Sequence, residues 1–544
     1  MPWQQIYDPL NNPFLSTLLA ALPVIVLLGC LGILRIKAHI SALLGLGVAL
    51  IVAVLVFGQP VGMAAASTVY GAAYGLLPIG WIVFNVMFMY RLTERKGYFS
   101  ILKESLRSIT SDRRLQVLLI AFCLGGFFEG AAGFGTPVAI TAAIMMGLGF
   151  SPLAASGLSL IANTAPVAFG GLGTPMIALA QITGLDVYDL TMMTGRLISI
   201  FAVIVPFWLV AAFAGIKRAF QVWPALLVAG GSFAVVELFI SSRYGPWLVN
   251  VIAGLVSLIL TVLFLLVWKP RKVYLMEGDD ENAKEEAPQH SRREIIQAWM
   301  PWAILSVLVL LWGLPGINAI LDKTTLRIVV PGLHNLVMRM PPVVAEAHLE
   351  SAIYKLSWLS ASGSGILISA VISGLVMGYS FKELLKTYFK TCKDLRYSLL
   401  TISAMMALGF VTRFSGLDAT LGLTFARTGV LYPFFGTLLG WLGVALTGSD
   451  TSSNVLFGSL QVITAVQLGL SPLLMAAANS AGGVMGKMID AQSIVVASTA
   501  TGWHGHESDI LRYVFWHSLV LAALVGLVVL LFAYLPPFTL LVVQ

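Results

Sequence analysis

The feature that most constrains this chain is the recurrence, along nearly its whole length, of apolar stretches about 20 residues long, enough for a helix to cross a hydrocarbon core of about 30 Å. They fall near residues 14–34, 39–57, 69–90, 115–150, 152–182, 197–214, 222–240, 247–268, 299–321, 358–379, 397–412, 431–470, 471–500 and 513–535. Only 10% of the 544 residues are charged, against about 25% in a soluble domain. The pattern predicts an all-α polytopic membrane protein and leaves no stretch for a soluble domain. Met1 to Pro13 contains no Lys or Arg, so it lacks the basic start of a signal peptide, and the first span is expected to be retained. Cys30, Cys123 and Cys392 are far apart and lie in or beside apolar segments. That spacing argues against both a disulfide framework and a metal site.

Two of the segments, 115–150 and 431–470, are too long for one span, and each has a polar, Gly-rich centre. Both are expected to be re-entrant helical hairpins that enter the membrane and turn back on the same side. Charge tests this parity. With the N-terminus outside, the inner loops carry 23 of the 32 Lys and Arg, the outer side carries eight, among them Arg339, Lys355 and Arg413, and Lys487 is left within a span. The positive-inside rule supports that orientation. The first hairpin then enters from the cytoplasm and the second from outside. The hydrophilic run GDDENAKEE marks a cytoplasmic linker, 269–298. It separates a first transmembrane half, 1–268, with hairpin 115–150 and broken helix 152–182, from a second, 299–544, with hairpin 431–470 and broken helix 471–500.

The halves share an order of features. Glu129 is followed 19 residues later by LGFSPL (Leu148 to Leu153) and then by Asn163-Thr164. Asp450 is followed 18 residues later by LGLSPL (Leu468 to Leu473) and then by Asn479-Ser480. A repeat whose copies fall on opposite membrane sides is the signature of inverted repeats in transporters.

The chemistry concentrates at the breaks. The first hairpin centre reads EGAAGFGTP, Glu129 to Pro137. A charge at mid-membrane costs about 2.5–3.5 kcal/mol on insertion scales, and desolvation favours a neutral carboxyl. Glu129 is therefore a candidate proton carrier, or else a carboxyl that caps helix ends. The second tip, TGSDTSSN (Thr447 to Asn454), is crowded with hydroxyl, amide and carboxyl groups. With Ser452, Ser453 and Asn454, half-helix N-termini there can hold a small carboxylate, or the same residues simply cap broken helices. Asp450 is the second candidate proton carrier. Asn163, Thr164 and Pro166, followed by GGLGTP (Gly170 to Pro175), predict an unwound helix; Asn479, Ser480 and Gly482-Gly483 are the counterparts, with Lys487 and Asp490 close behind. Lys487 either attracts an anionic substrate or pairs with Asp490, Asp450 or Glu129. Around it, GGVMGKM fails as a phosphate loop, because Ala481 stands where the first glycine belongs and Met488 where Ser or Thr belongs. His504 and His506 lack metal-ligand spacing, and no nucleophile or zinc-hydrolase motif occurs, which argues against an enzyme and predicts neither cofactor nor metal.

At these residues the sequence resembles the bacterial lactate permease family, proton-coupled carriers of lactate and related 2-hydroxymonocarboxylates such as glycolate. The resemblance rests on WQQIYDP (Trp3 to Pro9), EGAAGFGTPVAITAA (Glu129 to Ala143), NTAPVAFG (Asn163 to Gly170), RMPPVVAEA (Arg339 to Ala347), GWLGVALTGSDTSSN (Gly440 to Asn454) and GKMIDAQSI (Gly486 to Ile494). Asp490 departs from the pattern, since a relative carries Ser there. The resemblance implies lactate uptake with a proton and an elevator-like ion-transporter architecture. In that architecture the two hairpins and two broken helices carry substrate past a scaffold that commonly forms a homodimer. Membrane lipid is the other expected partner, and no nucleic acid is expected. On this reading Asn163, Thr164, Ser452, Ser453, Asn454, Asn479, Ser480 and Lys487 bind substrate, and Glu129 or Asp450 carries the proton. A sodium-coupled carboxylate carrier of the same architecture is the alternative, because unwound carbonyls with Asn and Ser oxygens also suit Na⁺.

Overall fold

The computed structural model describes residues 2–30, 34, 36–98, 101, 109–131, 133, 135–276, 290–344, 346–426 and 428–543; the middle of the expected linker, 277–289, lies outside them. The chain is mostly helical. Among the described residues six helices are long and apolar enough to cross a membrane, and up to eight if each bent pair is one span. The clearest are Val187–Ala214, Val249–Val267 and Glu507–Tyr534.

Each of the four segments singled out at the sequence level is a pair of helices with a local cause for its break. Arg113–Ala131 and Thr136–Gly147 pack together across a turn in which Gly133 and Gly135 take positive φ (60° and 81°), a conformation glycine enters without steric cost. Pro152–Ala162 bends by 67° into the next helix. Tyr432–Thr447 and Asp450–Gln467 meet at Gly448 (φ 71°) and the N-cap Ser449, while Pro472–Gly486 and Ala491–Ala500 are divided by Lys487–Asp490. The two LG-x-SPL repeats fold into one kind of turn. Gly149 (φ 89°) and Gly469 (φ 68°) follow the helix ends, and the amides of Phe150 and Leu470 reach back to Met145 and Ala465. Ser151 and Ser471 then cap the next helices, each with Pro at its first position. This is a Schellman stop followed by a Ser-Pro start.

Three sequence expectations are corrected. The chain is not all-α: β1 (Trp3–Gln4), β3 (Val337–Arg339) and β4 (His348–Leu349) form one small sheet, and β2 (Leu326–Val329) pairs antiparallel with β5 (Ile353–Leu356). Short alternating runs such as LRIV are too brief to register against the apolar spans around them. Segment 69–90 is not one helix but two, Val61–Tyr74 and Trp81–Arg95, with Leu77 extended (φ −136°, ψ 117°) before Pro78, as a residue before proline prefers. Segment 397–412 is the end of a helix that begins at Phe381, where Ser380 and Glu383 form a capping box; its cationic first half reads as loop by hydropathy alone.

Close packing of the second half depends on glycine. Gly436 and Gly440 on the helix Tyr432–Thr447, and Gly482 and Gly486 on Pro472–Gly486, have G-x-x-x-G spacing, and Gly440, Gly482 and Gly486 lie where the two helices touch. A Cβ on Gly440 would lie 1.9 Å from the Asn479 carbonyl oxygen, and one on Gly482 2.0 Å from that of Thr437. Backbones approach this closely only where side chains are absent. Gly440→Ala should therefore force the helices apart and destabilise the fold by about 1–3 kcal/mol or more. A thermal unfolding midpoint equal to that of the unaltered protein would contradict this.

Candidate functional site

The hairpin turns and helix breaks converge on one cavity of about 410 Å³, within the size range of small-molecule sites. Glu129, in the last turn before the first hairpin bends, lines it and is 3% exposed. Room for its carboxyl comes from Gly170: a Cβ there would lie 2.2 Å from Glu129 Oε1. Just beyond, Gly171, Leu172 and Gly173 all have positive φ (50°, 56° and 77°). For Leu172 the left-handed conformation costs roughly 1–2 kcal/mol, strain of the kind that gathers at functional sites.

On the other side, Lys487 ends the helix Pro472–Gly486, and its Nζ donates to the Gly448 carbonyl at 2.6 Å and lies 3.3 Å from Asp490 Oδ2. It thus satisfies a carbonyl left free at a helix end, where a cation is also favoured by the helix dipole. Asp490 caps the following helix by accepting from the Ser493 amide at 2.7 Å. Asp450, in the first turn after the second hairpin tip, accepts a short hydrogen bond from Ser480 and also lines the cavity. Glu129, Asp450 and Asp490 all lie within Coulomb range of Lys487, so one buried cation faces three acids.

The ten residues expected from sequence divide into two groups. Glu129, Asp450, Ser452 and Lys487 line the cavity. Asn454, Asn479 and Ser480 instead belong to a buried network behind it: Asn479 Nδ2 donates to Asn454 Oδ1 at 2.9 Å, and Gln461 Nε2 to Asn479 Oδ1 at 3.0 Å. Asn454 Nδ2 donates to the Pro175 carbonyl at 3.2 Å, which fastens the second hairpin to the first broken helix. Ser453 donates to the Gly440 carbonyl at 3.1 Å and Thr164 to that of Ile161 at 2.8 Å, both inside the fold. Asn163 is buried at the end of Pro152–Ala162, beside the Glu129 carboxyl. Sequence reasoning missed Gln492, Tyr70 and Tyr74, and it counted Lys355 and Arg413 only as outer-side charges; all five line the cavity. For Tyr70 and Tyr74 the i, i+4 spacing on one helix face was a usable signal. Among the described residues no group of three or more His, Cys, Asp or Glu is placed to hold a metal.

The sequence model of the L-lactate permease family matches residues 16–536. The chain belongs to that family. It is a transporter rather than an enzyme, and a multi-pass membrane protein. Within the family it is similar to glycolate permease GlcA of Escherichia coli K12, with 44% identity over 549 residues and 98% of each chain covered. It is equally similar to the L-lactate permease of Salmonella typhimurium, at 44% over 541 residues, again 98% of each. The L-lactate permease of Bacillus subtilis is 43% identical over 558 residues, with the same coverage. Against solved structures the likeness is slight. Neisseria gonorrhoeae MtrF aligns at 14% identity and a TM-score of 0.28, covering 86% of this chain and 82% of that one. For a permease, the telling property of the cavity is that its lining comes from separate parts of the fold: hairpin turns and helix breaks together with Val61–Tyr74, the end of Phe381–Ser415 and β5.

Proposed function

We propose that the protein imports lactate and related 2-hydroxymonocarboxylates such as glycolate by symport with a proton across the bacterial inner membrane, with its N-terminus periplasmic. The observation that carries this reading is one buried cation, Lys487, lining the same cavity as two carboxyl groups, Glu129 and Asp450. A carboxylate anion entering that cavity meets a positive charge, and a protonated carboxyl beside it keeps the site near neutral, which is what electroneutral symport requires. Lys487 and Ser452 are the expected first contacts, with Asn163, buried beside Glu129, behind the first break. Asn454, Asn479 and Ser480 act by holding the second hairpin against both broken helices, and Ser453 and Thr164 by fixing backbone.

The two hairpins and two broken helices form the moving unit of an elevator-like, inverted-repeat carrier. The remaining helices form the scaffold, whose exposed apolar side chains, such as Leu55, Val235 and Val267, face lipid. Because β5 and Ser351 border the cavity, and the positive-inside rule puts their segment outside, this conformation takes up substrate from the periplasm.

The test is uptake of labelled L-lactate into sodium-free proteoliposomes with an alkaline interior. One proton per lactate gives accumulation of about tenfold per pH unit at equilibrium, and unlabelled glycolate should compete. Accumulation that appears only with sodium would replace this reading by the sodium-coupled one.

A further inference from the structure

The lining of the cavity carries a further cation that the proposed mechanism has not used. Arg413, in the last turn of Phe381–Ser415, lines the cavity with a side chain 28% exposed. Its side chain makes one hydrogen bond among the described residues, from Nη2 to Glu350 Oε2 at 3.2 Å. Glu350 Oε1 faces Arg339 Nε at 3.3 Å, and Arg339 Nη2 donates to the Leu456 carbonyl on the second hairpin at 3.2 Å. Burial alone would raise the Glu350 pKa, but Arg413 and Arg339 outweigh it and hold the carboxyl below its usual range, so it stays ionised. Asp418 lies within Coulomb range of both arginines and beside the Thr412 hydroxyl. The backbone is fixed as well: Gln5 Nε2 donates to the carbonyls of Arg413 and Phe414 at 2.9 and 3.1 Å. A guanidinium has five donors in a rigid fork that matches a carboxylate. One donor of Arg413 is committed to Glu350, and the side chain borders the space where an anion is expected.

We propose that Arg413, which lines the same cavity as Lys487, is a second contact for the substrate carboxylate, and that Glu350 is a positioning residue that holds its guanidinium against the cavity. This rests on the reading of the protein as a carrier of short carboxylates. The bound anion then meets both Lys487 and Arg413, and Glu350, through Arg339, ties the same contact to the second hairpin.

The experiment compares L-lactate uptake by proteoliposomes of the unaltered protein, Arg413→Gln, Arg413→Lys and Glu350→Gln. Arg413→Gln is expected to raise KM about tenfold or more, the factor one charge-assisted hydrogen bond supplies, with a smaller change in maximal rate. Arg413→Lys should recover part of that loss, since a lysine keeps the charge but not the fork. An unchanged KM in folded Arg413→Gln overturns the proposal. A second measurement needs no variant to fold: phenylglyoxal modification of Arg413 in the unaltered protein, followed by peptide mass analysis, should slow several-fold under saturating L-lactate. An equal rate with and without lactate overturns the proposal. Glu350→Gln should speed that modification by freeing the guanidinium, and an unchanged rate removes Glu350 from the positioning role. Failure of the unaltered protein to transport any short carboxylate would instead overturn the carrier reading, and it would show before any variant is compared.

Discussion

Replacing Glu129 by Gln should reduce pH-gradient-driven accumulation of L-lactate to background, a loss of about 100-fold or more, the range seen when a positioned proton-transfer group is removed. Exchange of preloaded for external lactate should persist. Gln matches Glu in size and occupies the hollow that Gly170 leaves beside Oε1, so the packing survives while the titrating group is lost. The carrier would still bind its anion and cross the membrane loaded, but no proton would set the direction. Counterflow and gradient-driven uptake in the same vesicles separate these steps. Normal accumulation by the variant would take Glu129 out of the coupling role and turn attention to Asp450→Asn. That substitution removes the other acid of the cavity but leaves an acceptor for Ser480.

The second large effect is expected at Lys487. Lys487→Met leaves Asp490, which is fully buried, without its partner at 3.3 Å and the Gly448 carbonyl without its donor at 2.6 Å. Removing one member of a buried ion pair costs about 3–5 kcal/mol, so the variant should unfold at markedly lower temperature and show little uptake. Stability and substrate binding are then confounded, and a second substitution separates them. Lys487→Met with Asp490→Ser removes both charges and keeps an oxygen able to cap Ala491–Ala500 through the Ser493 amide. The double variant should regain most of the thermal stability and still bind L-lactate weakly. Full recovery of KM would mean that Lys487 only neutralises Asp490 and does not meet the substrate.

The sequence revealed most where a residue has a backbone consequence of its own. Ser151-Pro152 and Ser471-Pro472 announce helix starts, and Gly149 and Gly469 announce the stops before them. The same logic pointed to the first hairpin turn, because a run of glycines beside Glu129 suits neither a helix nor lipid. What stayed hidden depends on partners far along the chain. Asn454 and Asn479 look like ligand groups in isolation, yet each is occupied by the other, and Gln461 and Pro175 complete their bonding. Arg413 and Lys355 look like outer-loop charges, because the signal that counted them records only the side of the membrane. Arg413 reaches the cavity at the end of the helix Phe381–Ser415, and Lys355 through a small sheet, whose four-residue strands are too short for alternation to be seen against the spans around them.

The pairing of the first few residues has a practical consequence. Trp3 and Gln4 run parallel to Val337 and Met338, and Gln5 grips the carbonyls of Arg413 and Phe414. An affinity tag or fluorescent reporter fused ahead of Trp3 would therefore pull on the wall of the transport cavity rather than trail in solvent.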